Sequence, residues 1–172
     1  MKGTKTKLLV FVIISLILFV TVCTYMWFYT STKEIRRFES RLGISLPLDT
    51  QVLFSEYDYG ALGDGCSLTI YHLDPDELQK LIELNKLYLW PRLPIDQTLS
   101  AGVYKRVSGI AKGKTETANL LDLNADYGYY IIKNRHSKPI AQYDEHDRNF
   151  RNIIMSIINC RTNTISLLTW DM

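Results

Sequence analysis

Residues 153–170 read IIMSIINCRTNTISLLTW, two apolar runs around a short polar turn, and they give the clearest indication of the fold. Isoleucine, threonine and tryptophan are typical of strands, and Arg161-Thr162-Asn163 is long enough to join two antiparallel strands. The runs therefore predict a hairpin of Ile153–Cys160 and Thr164–Trp170. Neighbouring isoleucines such as Ile157-Ile158 place apolar side chains on both faces, which indicates an interior strand of a sheet.

Upstream of this hairpin, an aromatic and β-branched run predicts a further strand at Tyr127–Ile132. Its tyrosines Tyr127, Tyr129 and Tyr130 form a candidate interaction surface, because aromatic side chains are enriched where proteins bind one another. The segment before this strand, residues 101–126, contains glycines and scattered charges. It predicts a long surface excursion.

A second hairpin is predicted earlier in the chain, where Gln51–Glu56 and Cys66–Leu73 have the composition of strands. The sequence between them contains three glycines that supply the positive backbone angles of a tight connection, Gly60, Gly63 and Gly65. A glycine-rich loop can also bind phosphate, but that use requires a helix after the loop, and an apolar strand follows here. The hairpin interpretation is therefore favoured.

One helix is marked at its start by Asp74-Pro75-Asp76-Glu77. Asp74 can cap the helix, Pro75 suits the first helical position, and Glu77 has the spacing of a capping box. Apolar residues then recur at helical spacing, namely Leu78, Leu81, Ile82 and Tyr88. This pattern predicts a helix that packs on the sheet and ends before Trp90-Pro91.

The N-terminal region has a different character, since Leu8–Tyr29 is a run of 22 residues without a charge or a proline. As a helix it would be about 33 Å long, and the hydrocarbon core of a bilayer is roughly 30 Å thick. No small-residue cleavage pattern follows the run, and Cys23 follows Val22 rather than a small residue. A retained transmembrane anchor is therefore favoured over a cleaved signal, a lipoprotein signal or a buried helix. Aromatic residues at its end suit the headgroup level, namely Tyr25, Trp27, Phe28 and Tyr29.

Charge and cysteine content suggest an orientation for this anchor. The first seven residues carry three lysines and no acid, so the net charge of +2 for the whole chain becomes −1 without them. The near-neutral remainder has no nucleic-acid footprint. Basic residues flank the anchor almost evenly, with three lysines before it and Lys33, Arg36, Arg37 and Arg41 after it, so their number does not decide between the two orientations. The acid-free basic tail resembles an uncleaved export signal, and a Cys66–Cys160 pair would suit an oxidising exterior. Both features predict a cytoplasmic N-terminus and an extracytoplasmic C-terminal domain at the cell membrane. Cys66 and Cys160 would then be a candidate disulfide, with two separate buried thiols as the alternative.

A short amphipathic helix is predicted after the membrane, because Ile35, Phe38 and Leu42 have helical spacing and Gly43 can form the C-terminal cap. Its charges alternate in sign, which favours a solvated face over a lipid-binding basic patch. The predicted organisation is a basic tail at residues 1–7, a transmembrane anchor at 8–29, a stalk helix and linker at 30–46 and a soluble domain at 47–172. The fold class is α+β, a small antiparallel sheet of about five strands with one main packing helix after the transmembrane helix.

The sequence contains none of the motifs that mark common enzymes: paired cysteines for zinc, a Gly-x-Ser-x-Gly elbow, a phosphate-loop lysine or His-Glu-x-x-His. The Asp144-Glu145-His146-Asp147 run is more typical of a solvated turn than of a metal site. A metal-dependent hydrolase would have to use some of four residues, namely Asp58, Asp64, His136 and His146. We therefore predict no catalytic residues, no metal and no cofactor.

Several motifs recur in the order seen in one known group of proteins, namely Leu46-Pro47, Gly60, Gly63-Asp64-Gly65, Gly128-Tyr129-Tyr130, Arg135-His136-Ser137 and Thr162-Asn163-Thr164. In this order the chain resembles a family of small single-pass bacterial membrane proteins or lipoproteins of uncharacterised function. The hairpin loop of that family often carries two histidines, where this chain has Asp58 and Leu62. The resemblance therefore implies an anchor and a fold but no shared metal site.

These features predict a membrane-anchored, non-catalytic interaction or accessory protein that contacts the lipid bilayer through residues 8–29. The alternative is an immunity-like or inhibitory protein that binds a toxin or an enzyme, for which an exposed aromatic patch at Tyr127–Tyr130 would be informative. A metal-dependent hydrolase is the third class.

Overall fold

A computed structural model of the chain describes residues 2–59, 65–101, 125–134 and 152–171. In these residues an N-terminal apolar helix precedes a five-stranded antiparallel sheet with helices packed against it, which confirms the α+β fold class. The helices are α1 Lys2–Ser31, α2 Lys33–Leu42 and α3 Pro75–Leu84, and the strands are β1 Gln51–Tyr59, β2 Gly65–His72, β3 Gly128–Asn134, β4 Asn152–Asn159 and β5 Thr164–Asp171. The excursion predicted for residues 101–126 lies outside the described residues, apart from 101, 125 and 126.

The predicted C-terminal hairpin is confirmed and lies in the interior of the sheet. The strand order is β1-β2-β5-β4-β3, so β4 and β5 each have a neighbour on both sides. Asn159 pairs with Thr164 next to the turn, where Asn163 takes a positive φ of 55°. Nearly every described side chain of β4 and β5 is buried, as the apolar character of both faces indicates. The pairing of β1 with β2 is confirmed as well, and β1 extends three residues further than predicted, to Tyr59. Gly60 and Gly63 of the predicted connection lie outside the described residues.

Each face of the sheet is covered by a separate apolar core, because neighbouring residues of a strand point to opposite sides. One core contains Leu68, Ile70, Met155, Ile157, Leu168 and Trp170 with Leu93, Ile95 and Leu99 from the chain after α3. The other contains Tyr71, Ile154, Ile158, Ile165 and Leu167 with residues of α2 and α3.

Helix α2 packs against the sheet together with α3. Its side chains Ile35 and Phe38 are buried, and the Phe38 ring meets the Tyr71 ring edge to face with 5.3 Å between the ring centres. Gly43 ends the helix with φ 72°, and its N–H donates to the carbonyl oxygen of Glu39, as the sequence predicts. The segment 30–46, predicted as stalk and linker, thus contributes a second packing helix to the domain.

Helix α3 begins where the sequence predicts it and ends earlier. Asp74 is the N-cap residue, but its side chain makes no capping hydrogen bond. The Glu77 carboxylate accepts a hydrogen bond from Lys80 instead. The predicted capping box is therefore wrong. Lys86 has a left-handed backbone with φ 53°, which ends the helical path before Tyr88. Tyr88 lies in a separate 3-10 turn at Leu87–Leu89, half exposed rather than on the packed face of α3.

Within α1, the segment Phe11–Thr30 is long and apolar enough to cross a membrane, judged by length and composition. None of it is buried against the other described residues. Threonine side chains in this helix donate hydrogen bonds to carbonyl oxygens one turn earlier, for example Thr21 to Ile17 and Thr24 to Val20. Their hydroxyl groups therefore have partners without water, which suits an apolar environment.

Candidate interaction surface

A groove of about 410 Å³ lies between α3 and the start of β3. We call it the tyrosine groove; its lining is Pro75, Leu78, Gln79, Ile82, Glu83, Tyr88, Tyr127, Tyr129, Cys160 and Asn163. Tyr127 is 64% exposed, Tyr88 is about half exposed, and Tyr129 is partly buried against the α2–α3 core. The groove therefore combines an apolar floor with tyrosine side chains that have one apolar and one polar part.

The structure divides the three tyrosines that the sequence singled out. Tyr127 and Tyr129 line the groove, whereas Tyr130 packs against the core on the other face of the sheet. This division follows from the alternation of side chains along a strand. Tyr88 lines the groove, whereas Tyr130 does not. The sequence predicts Tyr88 on the packed face of α3, and this prediction is wrong.

The edge of β3 beside the groove is already occupied by the chain that follows α3. Tyr130 N–H donates to the Pro91 carbonyl oxygen at 2.9 Å, and Leu93 N–H donates to the Gly128 carbonyl oxygen at 3.1 Å. Arg92 also forms an isolated bridge with Tyr129. Because these backbone groups have partners, a ligand at the groove would be held by side chains rather than by strand addition here.

The candidate disulfide between Cys66 and Cys160 is not formed, which leaves the alternative of two separate thiols. Cys66 pairs with Trp170 at one end of the sheet, whereas Cys160 follows Asn159 at the other end. Strands rise about 3.3 Å per residue, so the two residues are separated by most of a strand length, far beyond the reach of a disulfide. Burial raises the pKa of the Cys160 thiol, which disfavours the reactive thiolate.

Polar side chains lie between the first turns of α2 and the sheet. Arg37 Nη2 donates to Ser67 Oγ at 2.7 Å, and the Ser67 and Thr169 hydroxyl oxygens are 2.5 Å apart. The Arg37 guanidinium also stacks on the Tyr57 ring, 4.3 Å from its centre. These contacts fix α2 across β1, β2 and β5, since each of the three strands contributes a partner.

Glu34 and Tyr71 form further polar contacts between α2 and the sheet. The Tyr71 hydroxyl donates to the Glu34 carbonyl oxygen at 2.9 Å, and Thr69 Oγ1 donates to the Glu34 carboxylate at 3.4 Å. Burial, followed by the Glu34 charge, raises the pKa of Tyr71 well above its usual value. Tyr71 therefore stays protonated and serves as a hydrogen-bond donor at the helix–sheet contact.

A small polar pocket of about 130 Å³ lies at the end of the sheet near the start of α3, lined by Pro47, Asp49, Thr50, Gln51, His72, Leu73, Asp74 and Glu77. The buried hydroxyl of Thr50 has no hydrogen-bond partner among the described residues. No group of three or more His, Cys, Asp or Glu residues suited to a metal ion occurs in the part of the chain that the structure describes. The hydrolase candidates Asp64, His136 and His146, and the side chain of Asp58, lie outside it.

Comparison with known proteins identifies no relative of this chain. No family model, no curated protein and no solved structure matches the chain.

Proposed function

We propose that this chain is a membrane-anchored, non-catalytic interaction or accessory protein whose domain faces the extracytoplasmic side of the cell membrane. One observation carries the proposal: the Phe11–Thr30 helix is apolar along its whole length and entirely unburied. Exposing that surface to water is costly, at about 25 cal/mol for each Å² of apolar area. Insertion into a bilayer removes the cost. Three lysines precede the apolar segment and four cations follow it, namely Lys33, Arg36, Arg37 and Arg41, so the number of flanking cations does not set the orientation. The acid-free basic tail at residues 2–7 is typical of an uncleaved export signal and favours a cytoplasmic N-terminus.

The tyrosine groove supports a protein as the partner. Tyrosine is enriched at the centres of protein interfaces because its ring buries apolar area and its hydroxyl forms a hydrogen bond. Tyr127 and Tyr88 are 64% and 49% exposed, so the groove presents large aromatic side chains to a partner. The near-neutral charge outside the N-terminal tail does not favour a nucleic acid.

An immunity-like protein that inhibits a toxin or an enzyme is the second candidate, and it would use the same groove. The exposure of Tyr127 beside Tyr88 favours it, since inhibitory proteins rely on a few large side chains at a preformed surface. The resemblance to uncharacterised single-pass bacterial membrane proteins is compatible with either candidate and remains a prediction.

Cysteine labelling tests the orientation. We expect Thr162→Cys, in a chain whose Cys23, Cys66 and Cys160 are replaced by serine, to react with a membrane-impermeant maleimide in intact cells. Thr162 is exposed in the turn between β4 and β5, whereas the native Cys160 thiol has a raised pKa and is a poor reporter. The matched control is Thr4→Cys, which should react only after lysis. The reverse pattern, or release of the protein from membranes by carbonate, would contradict the proposal.

Photocrosslinking tests the partner surface. A benzoylphenylalanine at Tyr127 should give a discrete protein adduct in native membranes, whereas the same group at the exposed Leu48 should not. Tyr88→Ser should weaken capture, by about 30-fold in affinity if Tyr88 is an interface hot spot. Identical adducts from both positions, or none from Tyr127, would refute the groove as the partner site. An adduct with a toxin or an enzyme would favour the second candidate.

A further inference from the structure

An open groove of about 490 Å³ lies where α1 meets α2. We call it the basic groove; it is lined by Tyr29, Lys33, Arg36, Arg37, Ser40 and Arg41. Its lining thus contains four cations, and none of the described residues that line it is acidic. Two of the cations also face the sheet: Arg37 donates to Ser67, and Lys33 Nζ lies 5.6 Å from the centre of the Tyr57 ring. Position 33 is followed three and four residues later by 36 and 37, and these in turn by 40 and 41, which places all five on one side of the helix.

Neither acidic residue of α2, Glu34 or Glu39, lines this groove, although the sequence alternates them with the cations. Glu34 is directed to the sheet, where it accepts a hydrogen bond from Thr69. Glu39 accepts a hydrogen bond from the Ser45 hydroxyl beyond the end of the helix. The sequence alternation favours a solvated face of mixed charge, whereas the lining of this groove in the folded chain is cationic.

The basic groove also adjoins the end of the apolar segment. Phe11–Thr30 ends three residues before Lys33, and the groove includes Tyr29 from its last turn. The Arg36 guanidinium lies over the Tyr29 ring, 4.2 Å from its centre, and donates to the Tyr29 carbonyl oxygen. A helix C-terminus attracts cations, so Arg36 is held at the junction. If α1 spans a bilayer, the groove opens at the depth of the lipid headgroups.

We propose that the basic groove binds the phosphate of an anionic phospholipid, with the acyl chains along α1. The inference rests on the proposed membrane anchoring. Guanidinium groups bind phosphate oxygens in pairs, and lysine adds a point charge. Inorganic phosphate shares this chemistry, but a groove continuous with an exposed apolar helix also offers surface to acyl chains, which favours a lipid.

Quenching of Trp27 tests the proposal with the full-length chain in vesicles. Brominated phosphatidylglycerol and brominated phosphatidylcholine, each at the same low mole fraction in neutral lipid, report which lipid is enriched around Trp27. The Trp27→Phe variant gives the fluorescence of Trp90 and Trp170, which is subtracted as background. We expect the anionic lipid to be favoured about fivefold or more, since one cation near the membrane surface already contributes a factor of that order.

The variant Lys33→Gln/Arg36→Gln/Arg41→Gln should lower this preference to about one. It keeps Arg37, which fixes α2 to the sheet. The charge-matched control is Lys80→Gln/Lys86→Gln/Arg161→Gln, which removes cations remote from the groove and should retain the preference. Inorganic phosphate should compete no better than chloride at the same ionic strength.

The outcomes separate the two proposals. If neither brominated lipid quenches Trp27, α1 is outside the bilayer and the anchoring proposal fails. If both lipids quench Trp27 equally, the chain is anchored and the basic groove does not select anionic lipid, which overturns the present inference. Loss of the preference in the control variant, or specific competition by inorganic phosphate, overturns it as well.

Discussion

Gly128→Ala is expected to destabilise the domain by about 3 kcal/mol or more. Gly128 begins β3 with φ 146°, a conformation that side chains rarely adopt. An added Cβ would overlap the carbonyl oxygen of Ile158 and approach Leu93 Cδ1 to 3.2 Å. The overlapping atom belongs to the backbone of an interior strand, so relief requires β3 to move away from β4. Urea unfolding of the detergent-solubilised chain, followed by tryptophan fluorescence, would measure the loss.

Gly43→Ala is the matched control for this substitution. Gly43 also has a positive φ, 72°, but a Cβ there would meet nothing within 4 Å. The conformational strain remains and should cost about 1 kcal/mol. Equal losses from the two substitutions would show that the close approach at Ile158 is unimportant.

Phe38→Ala is expected to cost about 3–5 kcal/mol, the range for a buried aromatic side chain. Phe38 is 1% exposed and packs edge to face on Tyr71, so its removal leaves a cavity between α2 and the sheet. Since domains are stable by about 5–15 kcal/mol in total, this is a large part of the folding free energy. The shift of the urea midpoint gives the measurement.

Ser40→Ala provides the comparison for Phe38, because Ser40 is on the same helix and exposed. Its substitution should change stability by no more than about 0.5 kcal/mol. A small effect of both substitutions would mean that α2 is a detachable stalk, as the sequence alone suggested.

Strand positions could be predicted because each strand is marked by its own apolar run and by the turn residues next to it. The β4–β5 hairpin follows from apolar runs around Arg161-Thr162-Asn163, and it differs from the prediction by no more than one residue at the strand ends. The end of α2 follows from Gly43, whose left-handed conformation is intrinsic to glycine. The hairpin and the end of the helix depend mainly on residues that are close in the sequence, so they can be predicted from a short segment of the chain.

Contacts between distant segments could not be predicted in this way. The Arg37 contact with Ser67 and Thr169 joins residues 30 and 132 positions apart from it. The lining of the tyrosine groove was predicted only in part, because Tyr129 and Tyr130 lie on opposite faces of the sheet. Tyr88 lines the groove because the left-handed conformation of Lys86 ends the α3 path before it. Cysteine spacing likewise carried no information about the sheet length that separates Cys66 from Cys160.

The attachment of α2 has a mechanical consequence. Any tilt or displacement of α1 reaches the domain through α2, and the contacts of α2 with Ser67, Tyr71 and Thr169 lie on β2 and β5. If α1 anchors the chain in a membrane, a load from α1 is applied to β2 and β5 in the interior of the sheet as well as to Tyr57 of the edge strand β1. The domain would then follow the orientation of α1 instead of moving independently of it.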